Sequence, residues 1–122
     1  MFFDKKKIDL DKRISESNRI ICKFPDKIPV IVETDDKDLI KQMKKNKFLS
    51  PYDISVSHFM YSIRRQLNLN ASQALFLFCD NSLINGTDIM GRIYGEYKLK
   101  NNINEGGDKF LYVQVSKENT FG

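Results

Sequence analysis

The 122 residues predict an α+β fold, a small sheet with one main helix laid across a face. Three observations carry this. Two runs, "KIPVIVE" (27–33) and "FLYVQV" (110–115), are rich in β-branched and aromatic residues, as buried strands are. Val56, Phe59, Met60, Ile63 and Leu67 recur at i, i+3, i+4, i+7 and i+11, one continuous apolar helical stripe. The elements follow the order helix, strand, strand, helix, strand, helix, strand, which suits a sheet with its main helix packed across it.

Taken in turn, residues 11–24 are charged with Ile14, Ile21 and Phe24 at helical spacing, a short amphipathic helix that Pro25 and Asp26 end. The strand "KIPVIVE" contains Pro29, which has no N–H for a ladder, so the chain there should face an edge or a groove. "TDDKD" (34–38) breaks the run, and 39–46 reads as a basic connector. "KFLS" (47–50) is a second, shorter strand closed by Pro51. The main helix follows, with Ser55 as its cap. "ALFLFC" (74–79) is a third strand, and Asn85–Gly86 signals a turn. Ile89, Met90, Ile93, Tyr94 and Tyr97 predict another short helix, capped by Thr87 or Asp88. The polar loop 98–109, with Gly106 and Gly107, is expected to be mobile. This order outlines a ubiquitin-like β-grasp with an N-terminal helical extension, in a single domain. Its parts are a helical segment (1–24), a β-grasp core (25–116) and a tail (117–122).

Composition narrows the class. Hydrophobic residues at 41% and charged residues at 30% describe a globular chain and exclude a disordered one. No apolar run approaches a membrane span, and the start "MFFDKKKIDLDKR" lacks the apolar region of a signal peptide, so a cytoplasmic or nuclear location is expected. Cys22 and Cys79 are far apart without CxxC spacing and read as free thiols, and the acceptor-like triplets at Asn70 and Asn85 then carry no glycan. The net charge of +4 comes from clusters at 5–7, 41–47 and Arg64–Arg65 that suit anionic lipid, acidic peptide or nucleic acid equally with plain solvation. Nucleic acid is disfavoured, because no recognition motif interleaves aromatics with these runs.

Catalytic chemistry is not visible. The one histidine, His58, has no nucleophile placed beside it by a motif. No HExxH, paired CxxC or EF-hand loop offers a metal site, and no cofactor is expected. "EGGDK" lacks the strand–loop–helix setting and Lys-Ser/Thr ending of a phosphate loop. Cys79 reads as a small buried residue. An enzyme is the least favoured class.

Three stretches read together carry a resemblance: "RISESNRIICKFPDKIPVIVE" (13–33), "KFLSPYDISVSHFMYSIRR" (47–65) and "FLYVQVSKENTFG" (110–122). They resemble the autophagy ubiquitin-like modifiers, the family of the GABA-receptor-associated and microtubule-associated light-chain proteins. The resemblance implies that Gly122 is the site of lipid conjugation. In that family an activating (E1-like) enzyme converts the C-terminal glycine carboxylate to an adenylate. It passes as a thioester to enzyme cysteines, including those of an E2-like transferring enzyme, and ends as an amide on phosphatidylethanolamine. A processing or deconjugating cysteine protease is a further implied partner. Glycine suits this because a tail without Cβ threads a narrow channel. Read from the residues alone, a bare glycine is equally a frayed tail. The implied protein is a monomer when unconjugated, cytoplasmic, and on the autophagosomal membrane when lipidated. "MFFDKKK" fits a segment that meets anionic lipid, or a charged terminus without a role.

The resemblance also implies docking of short aromatic-x-x-aliphatic motifs of cargo receptors and scaffolds, added as a strand beside "KFLS". The aromatic pocket it implies comprises Glu16, Ile20, Pro29, Ile31, Lys47, Leu49 and Phe110. The aliphatic pocket comprises Phe48, Ser50, Pro51, Ile54, Phe59, Ser62 and Ile63. Lys27, Lys45, Lys47 and Arg64 form an electrostatic rim for acidic flanks, each exposed contact contributing about 1 kcal/mol or less. Without the resemblance, Glu16 and Lys47 read as a surface ion pair. Phe76 and Phe78 alternate with Leu75 and Leu77, so one pair faces the core; the other is a conjugation-partner face by resemblance, or simply buried.

The sequence departs from the family pattern in places. Ser50 and Ser62 stand where aliphatic side chains are usual, at about 0.8 kcal/mol per unburied methylene. Gln66 replaces a common arginine, Asn85–Gly86 replaces a proline pair, and the 98–109 connection is longer. A shallower second pocket, a weaker or altered motif preference and less attraction for acids on that side are expected. The alternative to a conjugated modifier is a non-conjugated β-grasp module that binds peptides, cytoskeleton or nucleic acid through its basic surface.

Overall fold

A computed structural model describes residues 9–69, 73–103 and 106–117. The readings placed on "MFFDKKK", on Asn70 and on Gly122 lie outside the described residues. Helix α1 (Leu10–Lys23) is followed by strand β1 (Lys27–Glu33), helix α2 (Lys37–Gln42), strand β2 (Lys47–Pro51) and helix α3 (Val56–Arg64). Strands β3 (Phe76–Cys79) and β4 (Ser82–Leu83), helix α4 (Met90–Asn101) and strand β5 (Leu111–Ser116) complete the chain. The sheet order is β2-β1-β5-β3-β4. The central pair β1 and β5 is parallel, with Val30 opposite Leu111, and every other pair is antiparallel. This is the expected ubiquitin-like β-grasp.

Strand alternation divides the buried residues between two faces. Ile28, Val30 and Val32 of β1 join Leu111, Val113 and Val115 of β5 and Leu77 of β3 in the main core, against Val56, Phe59 and Ile63 of α3 and Met90 and Tyr94 of α4. The opposite face carries Ile31, Phe110 and Tyr112, with Ile20 of α1 packed on them. The N-terminal helix therefore covers the face that α3 leaves open.

How α1 docks differs from the expected stripe. Ile14, Ile21 and Phe24 are only half-buried. The closest contact is at Ser17, which lies on that stripe between Ile14 and Ile21, and at Ile20 on its flank, with Arg13 and Glu16 a turn earlier on the Ile20 side. Ser17 is fully buried, and its hydroxyl donates to the Ile14 carbonyl at 3.1 Å and accepts the Lys109 N–H at 2.9 Å. A small polar residue at the closest approach is invisible to hydrophobic periodicity.

Five further features correct the sequence reading. The connector over 39–46 contains α2, whose first N–H groups (Asp38 and Leu39) are capped by Asp36 at 2.9 and 3.1 Å and which buries Leu39. Pro29 sits in an interior strand, so of the edge and the groove expected there the edge is excluded. The Val32 N–H points to β2, on the Asn46 carbonyl at 2.8 Å, so alternation turns the Pro29 nitrogen towards β5, whose pairing starts only at Val30. The hairpin turn is Asp80–Asn81, both at positive φ (50° and 64°), as a type I′ turn needs, and it creates the short strand β4. Asn85–Gly86 also turns the chain, the Asp88 N–H donating to the Asn85 carbonyl at 3.0 Å, but this turn leads into α4, which no side chain caps. Its first N–H groups, of Met90 and Gly91, donate to the Ile54 and Tyr52 carbonyls at 2.9 and 2.8 Å. A Cβ on Gly91 would lie 2.7 Å from that Tyr52 oxygen, so the approach requires glycine. Finally, the described parts of the expected mobile loop are tethered. α4 runs on to Asn101, Ile103 and Asp108 are buried, and the Lys109 carbonyl accepts the Tyr94 hydroxyl at 2.6 Å.

Candidate functional site

The site begins with β2, which among the described residues pairs with β1 alone and so is an edge of the sheet. Alternation puts Lys47 and Leu49 on the face of α1, and Phe48 and Ser50 on the face of α3. A strand added along this edge would do the same. Its residues i and i+3 would point to opposite faces, one towards each group of side chains.

On the α1 face, Pro29 stands opposite Leu49 and Ile31 opposite Lys47 in the β1–β2 register. Ile31, Phe110 and Ile20 share one cluster, and the Lys47 ammonium reaches Glu16 Oε1 at 2.8 Å. All seven residues expected in the aromatic pocket thus come together. Leu49 is 42% exposed, while Pro29, Ile31 and Phe110 are buried beneath. The Glu16–Lys47 pair exists as a partly exposed ion pair between α1 and β2, worth on the order of 1 kcal/mol or less.

One buried constellation fixes α1 over this pocket. Asp108 Oδ2 accepts from Arg13 Nε and from the Tyr112 hydroxyl, both at 2.9 Å, and Oδ1 accepts the Phe110 N–H at 3.1 Å. Burial, followed by the Asp108 charge, pushes the Tyr112 phenol well above its ordinary range, so it stays a donor. Sequence reasoning missed Asp108, because its partner Arg13 lies 95 residues away and no spacing rule connects them.

On the α3 face the expected second pocket is divided. Phe59, Ile63 and Ser50 are 2%, 0% and 1% exposed, and the Ser50 hydroxyl donates to the Pro51 carbonyl at 3.0 Å. Phe48 meets the Phe59 ring edge to face at 5.7 Å, and Ile54 packs on the same core. What opens to solvent is a depression of about 440 Å³ lined by Lys45, Phe48, Leu49, Ser62, Arg65 and Gln66.

Of the expected rim, Lys45 lies on this depression with Nζ 4.9 Å from the Phe48 ring centre. Lys27 starts β1 opposite Pro51. Arg64 turns elsewhere, donating through Nη2 to the Gln73 carbonyl at 3.2 Å, and Arg65 takes the place beside Lys45. Gln66 has a role that its chemistry allows and its position alone does not reveal. Its Oε1 accepts the Lys44 and Lys45 N–H groups at 3.2 and 2.9 Å, and its Nε2 donates to the Lys45 carbonyl at 3.0 Å. One amide therefore clamps the segment leading into β2.

At the other end of the sheet, Leu75 and Leu77 face the main core. Phe78, on the opposite face, is nevertheless only 5% exposed, and Phe76 is half-buried, so Phe76 is the more accessible of the expected pair. Beyond β5, Lys117 Nζ reaches Asp38 and Asp36 at 3.1 and 3.6 Å, pinning the start of the tail beside α2. His58 is exposed on α3, and among the described residues no group of His, Cys, Asp and Glu is arranged to hold a metal. No helix among them is long and apolar enough to cross a membrane.

The two thiols differ in a way that labelling reads directly. Cys22 is exposed, whereas burial and then the Asp80 charge push the Cys79 thiol up to about 12. At pH 8 only about one Cys79 in 10⁴ is then thiolate, the reactive form. Iodoacetamide on the native protein is expected to add one carbamidomethyl group, at Cys22, with Cys79 following only in denaturant. Equal labelling of both under native conditions would contradict this placement.

Comparison with known proteins gives consistent results. A family model described as "Autophagy protein Atg8 ubiquitin like" matches residues 12–122. The chain is 41% identical over 114 residues to Autophagy-related protein 8e of Arabidopsis thaliana, covering 93% of this chain and 88% of that one. It is 43% identical over 112 residues to Autophagy-related protein 8 of Schizosaccharomyces pombe, covering 92% and 87%. A solved structure, Trypanosoma brucei ATG8, superposes with a TM-score of 0.79 at 30% identity, covering 97% of this chain and 96% of that chain.

Proposed function

Because the chain belongs to the Atg8 family of ubiquitin-like autophagy proteins, we propose that it is a lipid-conjugated modifier that recruits short peptide motifs to autophagic membranes. Atg8 proteins are ubiquitin-like modifiers rather than enzymes, and they work with the autophagy machinery and its receptors. In this reading the Gly122 carboxylate is joined to the amine of phosphatidylethanolamine. ATP supplies the activation, leaving as AMP and pyrophosphate, and the enzyme thiol is released when the amide forms.

The observation that carries the docking half is the open edge of β2, with an apolar cluster under α1 on one face and a depression on the other. A peptide strand gains main-chain hydrogen bonds along the edge, and its alternating side chains reach both faces. The aromatic anchor enters between α1 and the β1–β2 pair, over Ile31 and Phe110. Phe76 on β3 is the part of the conjugation-partner face that remains within reach.

The deciding experiment incubates the purified chain with the activating and transferring enzymes of its own organism, ATP and phosphatidylethanolamine liposomes. Intact mass is read for wild type and for Gly122→Ala. A lipid adduct on wild type alone is the expected result. No adduct, with the enzymes active on another substrate, would leave a non-conjugated β-grasp module whose work is the β2 edge.

A further inference from the structure

We propose that Asp36 and Asp38 are positioning residues for the conjugation reaction. Through Lys117 they hold the root of the tail to the α3 face of the sheet, and this hold opens before an enzyme draws the tail in. The role rests on the lipid-conjugation reading above.

Placement is the first reason. Lys117 is the first residue past β5 and keeps the parity of Leu111, Val113 and Val115, which enter the main core. Its side chain therefore leaves on the α3 face. There α2 buries Leu39 in the same core, and the Lys117 ammonium lies 3.1 Å from Asp38 Oδ2 and 3.6 Å from Asp36 Oδ2. Phe76 stands opposite Ser116 in the β3–β5 register and belongs to the α1 face. An enzyme that holds Phe76 works from the α1 face, while the two ion pairs hold the root of the tail to the other.

The carboxylates are also mounted on fixed backbone. Asp36 Oδ1 accepts the Asp38 and Leu39 N–H groups at 2.9 and 3.1 Å as the cap of α2, which leaves Oδ2 for Lys117. The Asp36 N–H donates to Oγ1 of the buried Thr34 at 3.1 Å. Across from them, β5 fixes the chain up to Ser116. Only the lysine side chain has to be ordered for the contact to form, which limits its entropy cost. Their hydrogen bond pushes the Lys117 ammonium up and the Asp38 carboxyl down, so both stay charged at neutral pH.

Reach is the third reason. Five residues follow Lys117, and fully extended they carry Gly122 about 17 Å from it. Where Lys117 is held thus sets which side of the sheet the glycine can serve. The three side chains are partly exposed, so the hold is weak. It opens during capture, before the carboxylate reacts, and so acts on KM and not on kcat.

The test varies the concentration of the full chain against its activating and transferring enzymes with ATP. It reads the thioester on the transferring enzyme, whose thiol displaces that of the activating enzyme. Asp36→Asn with Asp38→Asn keeps an amide oxygen for the cap and should lower KM about twofold to fivefold at unchanged kcat. Lys117→Ala should do the same, the triple variant no more than either, and Lys117→Arg should match wild type. Raised salt should close the gap. Trypsin supplies a reading without these enzymes. Cleavage after Lys117, followed by intact mass as loss of 118–122, should be faster by a similar factor in the Asp36→Asn/Asp38→Asn variant. Unchanged cleavage overturns the hold. Faster cleavage with unchanged KM, or additive effects in the triple variant, overturns its part in conjugation. All three leave Gly122 as the conjugation site. If neither wild type nor variants form thioester while the enzymes act on another substrate, the conjugation reading fails, and the positioning role with it.

Discussion

Asp108→Ala is expected to cost about 3–5 kcal/mol, a large share of the roughly 5–15 kcal/mol that holds a domain of this kind folded. The carboxylate is 7% exposed and the Arg13 side chain 16%, so the pair is shielded from water and is not a surface ornament. Removing the acid takes an acceptor from the Arg13 guanidinium, the Tyr112 hydroxyl and the Phe110 N–H at one stroke. Each loses a compensating partner while still largely desolvated, which is the costly half of hydrogen-bond energetics. Asp108→Asn should fall between, since an amide oxygen still accepts but the charge is gone. Urea unfolding would measure both, with the midpoint shift read at constant slope. A loss below about 1 kcal/mol would show that the constellation does not anchor α1. The consequence for function follows from geometry. Arg13, Glu16 and Ile20 share one side of α1, so loosening Arg13 also loosens the contacts of Glu16 and Ile20 where the aromatic anchor is proposed to dock.

What could be read from the sequence was what repeats locally. The strands at 27–33 and 110–115 and the helix from Ser55 onward announce themselves by composition and by period, and they occupy those places. That Pro29, Ile31, Lys47 and Leu49 would be neighbours was legible because they belong to two adjacent strands whose register places them side by side. Features without a local period were not. α2 is six residues long, too short to show a stripe, and its signal was only Asp36 three residues before Leu39. The α4 N-terminus finds its acceptors in the Tyr52 and Ile54 carbonyls, so no capping side chain marks it. Asp80–Asn81 and Asn85–Gly86 both tolerate a left-handed backbone and both turn the chain, and only the pairing of Cys79 with Ser82 shows which of them closes the hairpin. The same limit explains the rim. Arg64 and Arg65 are adjacent and alike in the sequence, and which one meets the groove depends on the path of residue 73.

The two faces of the β2 edge answer to different supports, and Phe59 separates them. It lies under Phe48 on the α3 face, 2% exposed, with the ring centres 5.7 Å apart. Phe59→Ala is expected to cost about 3–5 kcal/mol, the lost transfer energy of the ring plus the cavity it leaves. Phe59→Leu keeps most of the volume and should cost about half as much, so it is the variant for binding work at full occupancy of the folded state. In it Phe48 loses its edge-to-face partner, and the floor of the Lys45–Arg65 depression sinks towards the core. Binding that depends on the second anchor should weaken by about threefold to tenfold. A peptide with the aromatic anchor alone should hold its affinity, because Ile31 and Phe110 lie on the other side of the sheet. Asp108→Asn should give the opposite pattern, weakening the aromatic anchor and sparing the second. If both variants weakened both peptides equally, the edge would be a single surface set by overall stability. If the effects cross, the β2 edge carries two separable sites, each fixed by the helix on its own face.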